Sequence, residues 1–373
     1  MNSGARQPFS WRLAGAGLSI VLIAAMAWGI GRASAPSTGA RAQQPAGGFD
    51  LGVAGKPAPT GQVREVQLVA KEAPWEIAPG VSVPAITYNG QVPGPLIRVT
   101  EGDTLRVTLK NELKQATTIH WHGLHVPNAM DGVPPFTQAP IEPGQSFTYE
   151  FPASHAGTFM YHSHLNAVEQ IDRGLYGPLI IDPATPPPAR FDREFTMLLS
   201  AWDTSGMPGG DHRMPAGGGM PRPNQTAGGM SMAYNYFTIN GKAFPANETW
   251  TVREGELVRV RLINISNLAH PMHLHGHDFT VVAKDGEAIR PELQQTLNTL
   301  SVDAGETYDV VFRADNPGTW VFHCHELHHT ENDGVEPGGL MQVIQYEGHT
   351  PANAATPPAT PTPMPANMPG MRH

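Results

Sequence analysis

Gly157-Thr158-Phe159-Met160-Tyr161-His162-Ser163-His164 returns 161 residues later as Gly318-Thr319-Trp320-Val321-Phe322-His323-Cys324-His325. Working outward, His120-Trp121-His122-Gly123 is echoed by His273-Leu274-His275-Gly276 at an offset of 153 residues, and the run Ile97 to Val107 is echoed by Thr251 to Val260. The order is the same in both halves, so the chain carries a tandem duplication of one domain. Within each copy, runs such as Leu105-Arg106-Val107-Thr108-Leu109 and Leu257-Val258-Arg259-Val260-Arg261-Leu262 alternate apolar and polar residues, as half-buried strands do. Gly, Pro, Asn and Asp separate these runs at short intervals. The pattern predicts an all-β chain of two tandem Greek-key β-sandwich or barrel domains, over residues 61–185 and 234–347.

The flanks read differently. Residues 1–35 hold Arg6, Arg12 and Arg32, no acid, and an apolar run from Leu13 to Ile30 that ends near Ala33-Ser34-Ala35, the pattern of an export signal. Pro36 is awkward directly after that cut, which makes Ala40-Arg41-Ala42 a second cleavage candidate. An uncleaved membrane anchor is the alternative, although the run is short for a spanning helix. Residues 36–60 form a flexible spacer, 186–233 a linker with a Met/Gly/Pro-rich insert, and 348–373 a Pro-rich tail that cannot bury enough apolar surface to fold. Of the 373 residues, 24 are Lys or Arg and 33 Asp or Glu, giving a net charge of −9 that argues against a nucleic-acid binder. Cleavage after Ala35 would remove three Arg and take the charge to −12. A single cysteine excludes an intramolecular disulfide and any cysteine-rich zinc or iron–sulfur site.

Against that one Cys stand 17 His. Four His-x-His pairs occur, at 120/122, 162/164, 273/275 and 323/325, and on an extended strand both members of a pair point the same way. Eight imidazoles are too many for one metal and fit three ions shared between the domain copies. Imidazole by itself does not choose among Zn, Cu, Fe and Ni. Cys324 narrows the choice, because it points to the face opposite His323 and His325. With His270 and His329 it forms the two-imidazole, one-thiolate set of a blue-copper electron-transfer site, whose axial position falls on Leu340 or Met341 after Gly338-Gly339. The repeat offsets place Thr117, Ser163 and Val168 opposite His270, Cys324 and His329, so only the second domain holds such a site.

These motifs, together with Asp131-Gly132-Val133-Pro134 and Phe237-Thr238-Ile239-Asn240-Gly241, resemble the copper motifs of multicopper oxidases, in particular the two-domain, laccase-like branch. The resemblance implies cupredoxin folds and four coppers per active unit. It places His120 and His273 on a type 2 copper, and His122, His162, His164, His275, His323 and His325 on a type 3 pair. His270, Cys324 and His329 would hold the type 1 copper. It also implies a homotrimer whose trinuclear cluster closes between neighbouring subunits, since the middle domain of three-domain laccases is missing. The stretch 330–337 lengthens the usual gap between His329 and the axial residue.

On this reading the enzyme passes single electrons from phenolic or similar aromatic donors, through Cys324, His323 and His325, to O2. Asp131 is the proton-relay candidate, ahead of Asp278 and Glu326; its alternative role is that of a turn residue before Gly132. The insert's Met207, Met214, Met220, Met230 and Met232 carry soft sulfur that selects Cu(I), which makes cuprous oxidation the rival activity, alongside Mn(II) as donor; a plain flexible loop is the alternative. A copper nitrite reductase would keep its blue copper in the first domain, where Ser163 stands. A non-catalytic copper-sequestering protein would not need the full imidazole set.

Overall fold

A computed structural model of the chain describes residues 48–52, 58–205 and 234–349. The export signal, the Met-bearing insert 206–233 and the tail from residue 350 lie outside the described residues, and no helix among those described is long and apolar enough to cross a membrane.

The first domain contains β1 (Val63–Ala78), β2 (Val81–Tyr88), β3 (Ile97–Thr100), β4 (Thr104–Asn111), β5 (His120–His122), β6 (Ser146–Pro152), β7 (Gly157–His162) and β8 (Tyr176–Asp182). They form two four-stranded sheets, ordered β2-β1-β4-β6 and β3-β8-β7-β5. The alternation read from the sequence is what packs them. Leu105, Val107 and Leu109 turn inward from β4 to meet Trp121, Phe159, Tyr161 and Leu179 of the facing sheet.

The second domain repeats this plan. It contains β9 (Arg193–Trp202), β10 (Tyr236–Ile239), β11 (Trp250–Val252), β12 (Leu257–Asn264), β13 (His270–Leu274), β14 (Phe279–Lys284), β15 (Glu287–Ala288), β16 (Gln295–Leu297), β17 (Thr299–Val302), β18 (Thr307–Arg313), β19 (Thr319–Cys324) and β20 (Met341–Tyr346). The parallel pairs β1–β4 and β3–β8 recur as β9–β12 and β11–β20, and the antiparallel pair β5–β7 recurs as β13–β19.

Two sequence boundaries move. Residues 193–202, read above as linker, are the first strand of the second domain, hydrogen-bonded between β10 and β12. Part of the spacer is docked as well: Phe49 is buried with Val282 and Val311, and its amide donates to Gln294 Oε1 at 2.8 Å.

The two domains meet on a buried polar joint. Thr158 of β7 donates to Asp309 of β18 at 2.6 Å, and its own carbonyl accepts Thr307 Oγ1 at 2.9 Å. The Arg261 guanidinium reaches Asp309 at 3.1 Å and Glu194 at 3.0 Å. Burial alone would raise the Glu194 carboxyl, but Arg261 and Arg259 hold it at about 2.

Candidate metal centres

Strand parity sorts the histidines. On β5, Trp121 points into the core against Tyr149 and Phe151, so His120 and His122 share the outer face. His162 stands across from His120 in the β5–β7 register. The rings of His120, His122, His162 and His164 then crowd together, with centroids 5.3–5.9 Å from His120 to the other three. Carbonyls fix their tautomers: His120 Nδ1 donates to Asp131 O at 2.9 Å and His162 Nδ1 to Ser163 O at 2.8 Å, which leaves both Nε2 atoms free. His122 Nδ1 lies 3.3 Å from His162 Nε2, so these nitrogens converge on one point.

The second domain does the same on the outer face of β13 and β19. His273 Nδ1 donates to Asn298 O at 2.9 Å, His323 Nδ1 to Cys324 O at 2.8 Å, and His275 Nε2 lies 2.9 Å from His323 Nε2. His325 stacks near His323, with centroids 6.0 Å apart. Among the described residues, no hydrogen bond or ring contact joins this set to the first. What packs against His122 from the second domain is the turn at Gly305, not an imidazole.

On the inner face of the same two strands sits a different donor set. Met272 pairs with Cys324 while His273 pairs with His323, so His270 and Cys324 face the core. A short 3-10 turn, Leu327–Thr330, brings His329 back to them. Nδ1 of His270 and Nδ1 of His329 are 3.1 Å apart, and Cys324 Sγ lies 3.4 Å from His329 Nδ1 and 3.9 Å from His270 Nδ1. Metal bonds of roughly 2.0 Å to nitrogen and 2.3 Å to sulfur, placed trigonally, would set such donors about 3.5–3.7 Å apart. The fit is close.

Leu340 closes this pocket. It is fully buried beside Cys324; its amide donates to His329 O at 2.8 Å and its carbonyl accepts from Cys324 N at 3.1 Å. Met341 instead pairs with His323 and so belongs to the other face. The loop 330–337 folds back without disturbing this, because Asn332 Oδ1 accepts the Gly339 amide at 2.9 Å. Gly339 has φ +56°, and a Cβ there would sit 2.0 Å from the His329 carbonyl oxygen, so only glycine lets the chain turn this tightly.

The equivalent place in the first domain holds no metal donors. Thr117 Oγ1 donates to Gln170 Oε1 at 2.8 Å, Ser163 Oγ bonds the same oxygen, and Gln170 Nε2 donates to Ala116 O at 2.9 Å. The third member is therefore Gln170 rather than Val168, which is exposed on the short helix 167–172.

Sequence reading also missed Ser266 and Asn264. His270 Nε2–H donates to Ser266 Oγ at 2.7 Å and Ser266 donates to Asn264 Oδ1 at 2.8 Å, which fixes the ring with Nδ1 free. The repeat offers a signal for this, since Asn111, 153 residues earlier, makes the same carbonyl-bridging bonds as Asn264.

Two multicopper oxidase domain families match the sequence, one over residues 69–186 and one over 219–335. The chain belongs to the multicopper oxidase family. This multicopper oxidase is similar to copper resistance protein A of Escherichia coli, at 33% identity over 75% of the chain and 49% of the relative. It is also similar to laccase-4 of Thanatephorus cucumeris, at 32% identity over 75% of the chain and 55% of that protein. The chain thus spans about half the length of the curated relatives it matches. Among solved structures it resembles the two-domain multicopper oxidase mgLAC (TM-score 0.70, 38% identity, 79% of this chain and 89% of that one). It also resembles the blue copper oxidase of Nitrosomonas europaea (TM-score 0.68, 36% identity, 77% and 86%). Both domains of this multicopper oxidase are cupredoxin folds, as the sequence led us to expect.

The family implies copper, and the donors suit it, two imidazoles and a thiol being the ligand set of a mononuclear blue site. Without metal the same groups resist charging. Burial lowers His270 to about 4, lowers His329 and His162 to about 3, and pushes the Cys324 thiol up to about 12. These rings bind protons more readily unfolded than folded. The metal-free protein is therefore expected to keep the full contribution of these rings above about pH 6.5 and to lose it as pH falls from there toward about 3. The slope should reach about 1.4 kcal/mol per pH unit for each such ring. Urea unfolding of chelator-treated protein across this range checks it; a flat profile would contradict the burial of these rings.

Proposed function

We propose that this multicopper oxidase couples one-electron oxidation of phenolic and related aromatic donors to the reduction of O2 to water. The reading rests on the two faces of β13 and β19, where a thiol and two imidazoles back directly onto a second imidazole set. We assign His270, Cys324 and His329 as the residues that would hold a type 1 copper, with Leu340 buried next to them. His120 and His273 go to type 2 copper, and His122, His162, His164, His275, His323 and His325 to the type 3 pair. Four coppers, when bound, supply the four single-electron centres that O2 reduction to water requires.

The chain's own part is to keep donor and O2 apart. Cys324 is fully buried, so no donor touches the sulfur, while exposed His328 lays its ring 4.2 Å from that of His329. Cys324 is bonded on both sides to cluster ligands, and the hydrogen bond from His323 Nδ1 to its carbonyl adds a shorter link between the two sites. We assign proton relay to Asp131, whose half-buried carboxylate lies 3.4 Å from His120 Nδ1. Because the two imidazole sets share no contact within one chain, we assign their meeting to neighbouring copies in a homotrimer. Residues 1–35 we assign to export, with a membrane anchor as the alternative fate.

A specific observation favours Cu(I) as a second donor. Thr204 and Asn235 hydrogen-bond each other at 2.8 Å, and Asn235 reaches Asp333 at 3.1 Å in the loop after His329. The residues that flank the Met-bearing insert are therefore tied to each other and to the loop that follows His329.

Steady-state O2 uptake, on protein of measured copper content, tests both readings with a panel of phenols, Cu(I) and Mn(II). Uptake with phenols is expected, and deleting residues 206–232 should slow Cu(I) oxidation several-fold more than phenol oxidation. No uptake with any donor at full copper would sink the oxidase reading, and equal loss on both donors would leave the insert without a special role.

A further inference from the structure

We infer that Asn264 is a positioning residue for both donor sets of the chain: its side chain orients His270 through Ser266, and its backbone holds the turn that orients His122 of the other domain. The inference rests on the copper assignments proposed above. Asn264 ends β12, is fully buried, and has both polar atoms of its side chain bonded. Oδ1 accepts the Ser266 amide at 3.0 Å and the Ser266 hydroxyl at 2.8 Å, while Nδ2 donates to Leu268 O at 2.7 Å and Val302 O at 2.9 Å. Ser266 is thereby fixed with its Oγ 2.7 Å from His270 Nε2. A ring held at Nε2 presents Nδ1, the nitrogen that faces Cys324 and His329.

The main chain of the same residue reaches the other way. Its amide donates to Glu306 O at 3.0 Å, and its carbonyl accepts the Gly305 amide at 2.9 Å. Next along the turn, Thr307 Oγ1 donates to Thr158 O, which ties the turn to the first domain. The Gly305 carbonyl then accepts a hydrogen bond from the His122 ring. A Cβ on Gly305 would lie 3.3 Å from His122 Cε1 and 3.6 Å from its Nε2, so the Nε2 edge meets the turn. That leaves His122 Nδ1 bare toward His162 Nε2. Asn111 and Gly144, which stand 153 and 161 residues before Asn264 and Gly305, repeat the frame. The Asn111 carbonyl accepts the Gly144 amide at 2.8 Å, and its amide donates to Gln145 O at 2.9 Å. There, however, a Cβ on Gly144 would meet nothing within 4 Å, and Asn111 Oδ1 accepts the Leu113 amide instead of a serine. The frame occurs twice, and only the second copy has an imidazole at each end.

The test compares wild type with Asn264→Ala, Ser266→Ala, Gly305→Ala and the control Asn111→Ala. Blue absorption and copper per chain are read on loaded protein. The urea midpoint and nitrogen NMR of the histidine rings, which reports each tautomer, are read on metal-free protein. Asn264→Ala should mix the tautomers of both His270 and His122, shift the blue band and lose cluster copper. Ser266→Ala should move only His270 and the blue band, and Gly305→Ala only His122 and the cluster copper. Asn111→Ala should lower the urea midpoint by a similar amount and leave both rings as in wild type. An Asn264→Ala that moves one ring or neither overturns the joint role, as does an Asn111→Ala that moves both. If Asn264→Ala does not fold, wild-type ring signals in either Ser266→Ala or Gly305→Ala overturn it. A copper-loaded wild type with no blue band overturns the copper assignments instead, since the metal-free spectra read the contacts separately.

Discussion

Cys324→Ser is expected to abolish the blue colour and donor oxidation while the protein still folds and keeps its cluster coppers. The sulfur lies 3.4 Å and 3.9 Å from two ring nitrogens, all three buried and none with another cation to answer it. A serine oxygen is a harder donor with a far higher pKa, and it removes the thiolate that the colour and the one-electron transfer depend on. The first domain already displays the outcome. At the equivalent place Ser163 has turned to Thr117 and Gln170, and the space is closed by hydrogen bonds rather than a metal. Visible absorption, copper per chain and the rate of donor oxidation measure the effect together. A variant that remains blue would refute the assignment of Cys324.

Arg261→Met is expected to cost about 3–5 kcal/mol of stability, the range for removing one member of a buried charge network. The guanidinium is 3% exposed and sits between Glu194, Asp309 and Thr158, so the methionine leaves Asp309 facing only Thr158 and the more distant Arg259. Since Thr158 belongs to the first domain and Asp309 to the second, the loss falls on the seam between them. Urea unfolding should show a lower midpoint for Arg261→Met and partial recovery in Arg261→Met/Asp309→Leu. A single mutant as stable as wild type would mean that the seam is held by apolar contacts alone.

The repeat made most of the fold legible, because period-two alternation and the doubled His-x-His motifs need no knowledge of distant contacts. The strand β9 escaped it: its apolar run Met197-Leu198-Leu199 stands before a long Gly/Pro-rich insert, far in sequence from β12, with which it pairs. A fixed offset lands on Val168 and misses Gln170, because it cannot register the short helix that shifts the buried position by two residues. The choice between Leu340 and Met341 turns on cross-strand pairing with His323, a long-range fact that two adjacent apolar residues do not reveal. Nor does the chain announce that, among the described residues, no hydrogen bond or ring contact joins its two imidazole sets, since that depends on how the domains are set against each other.

On β19, His323 and Cys324 are consecutive yet serve opposite sides of one sheet. A slip of a single residue there would exchange the sulfur with an imidazole and spoil both donor sets at once. The loop from Thr330 to Pro337 lies past that stretch, between β19 and β20. Changes of length there leave the parity of the six residues of β19 untouched.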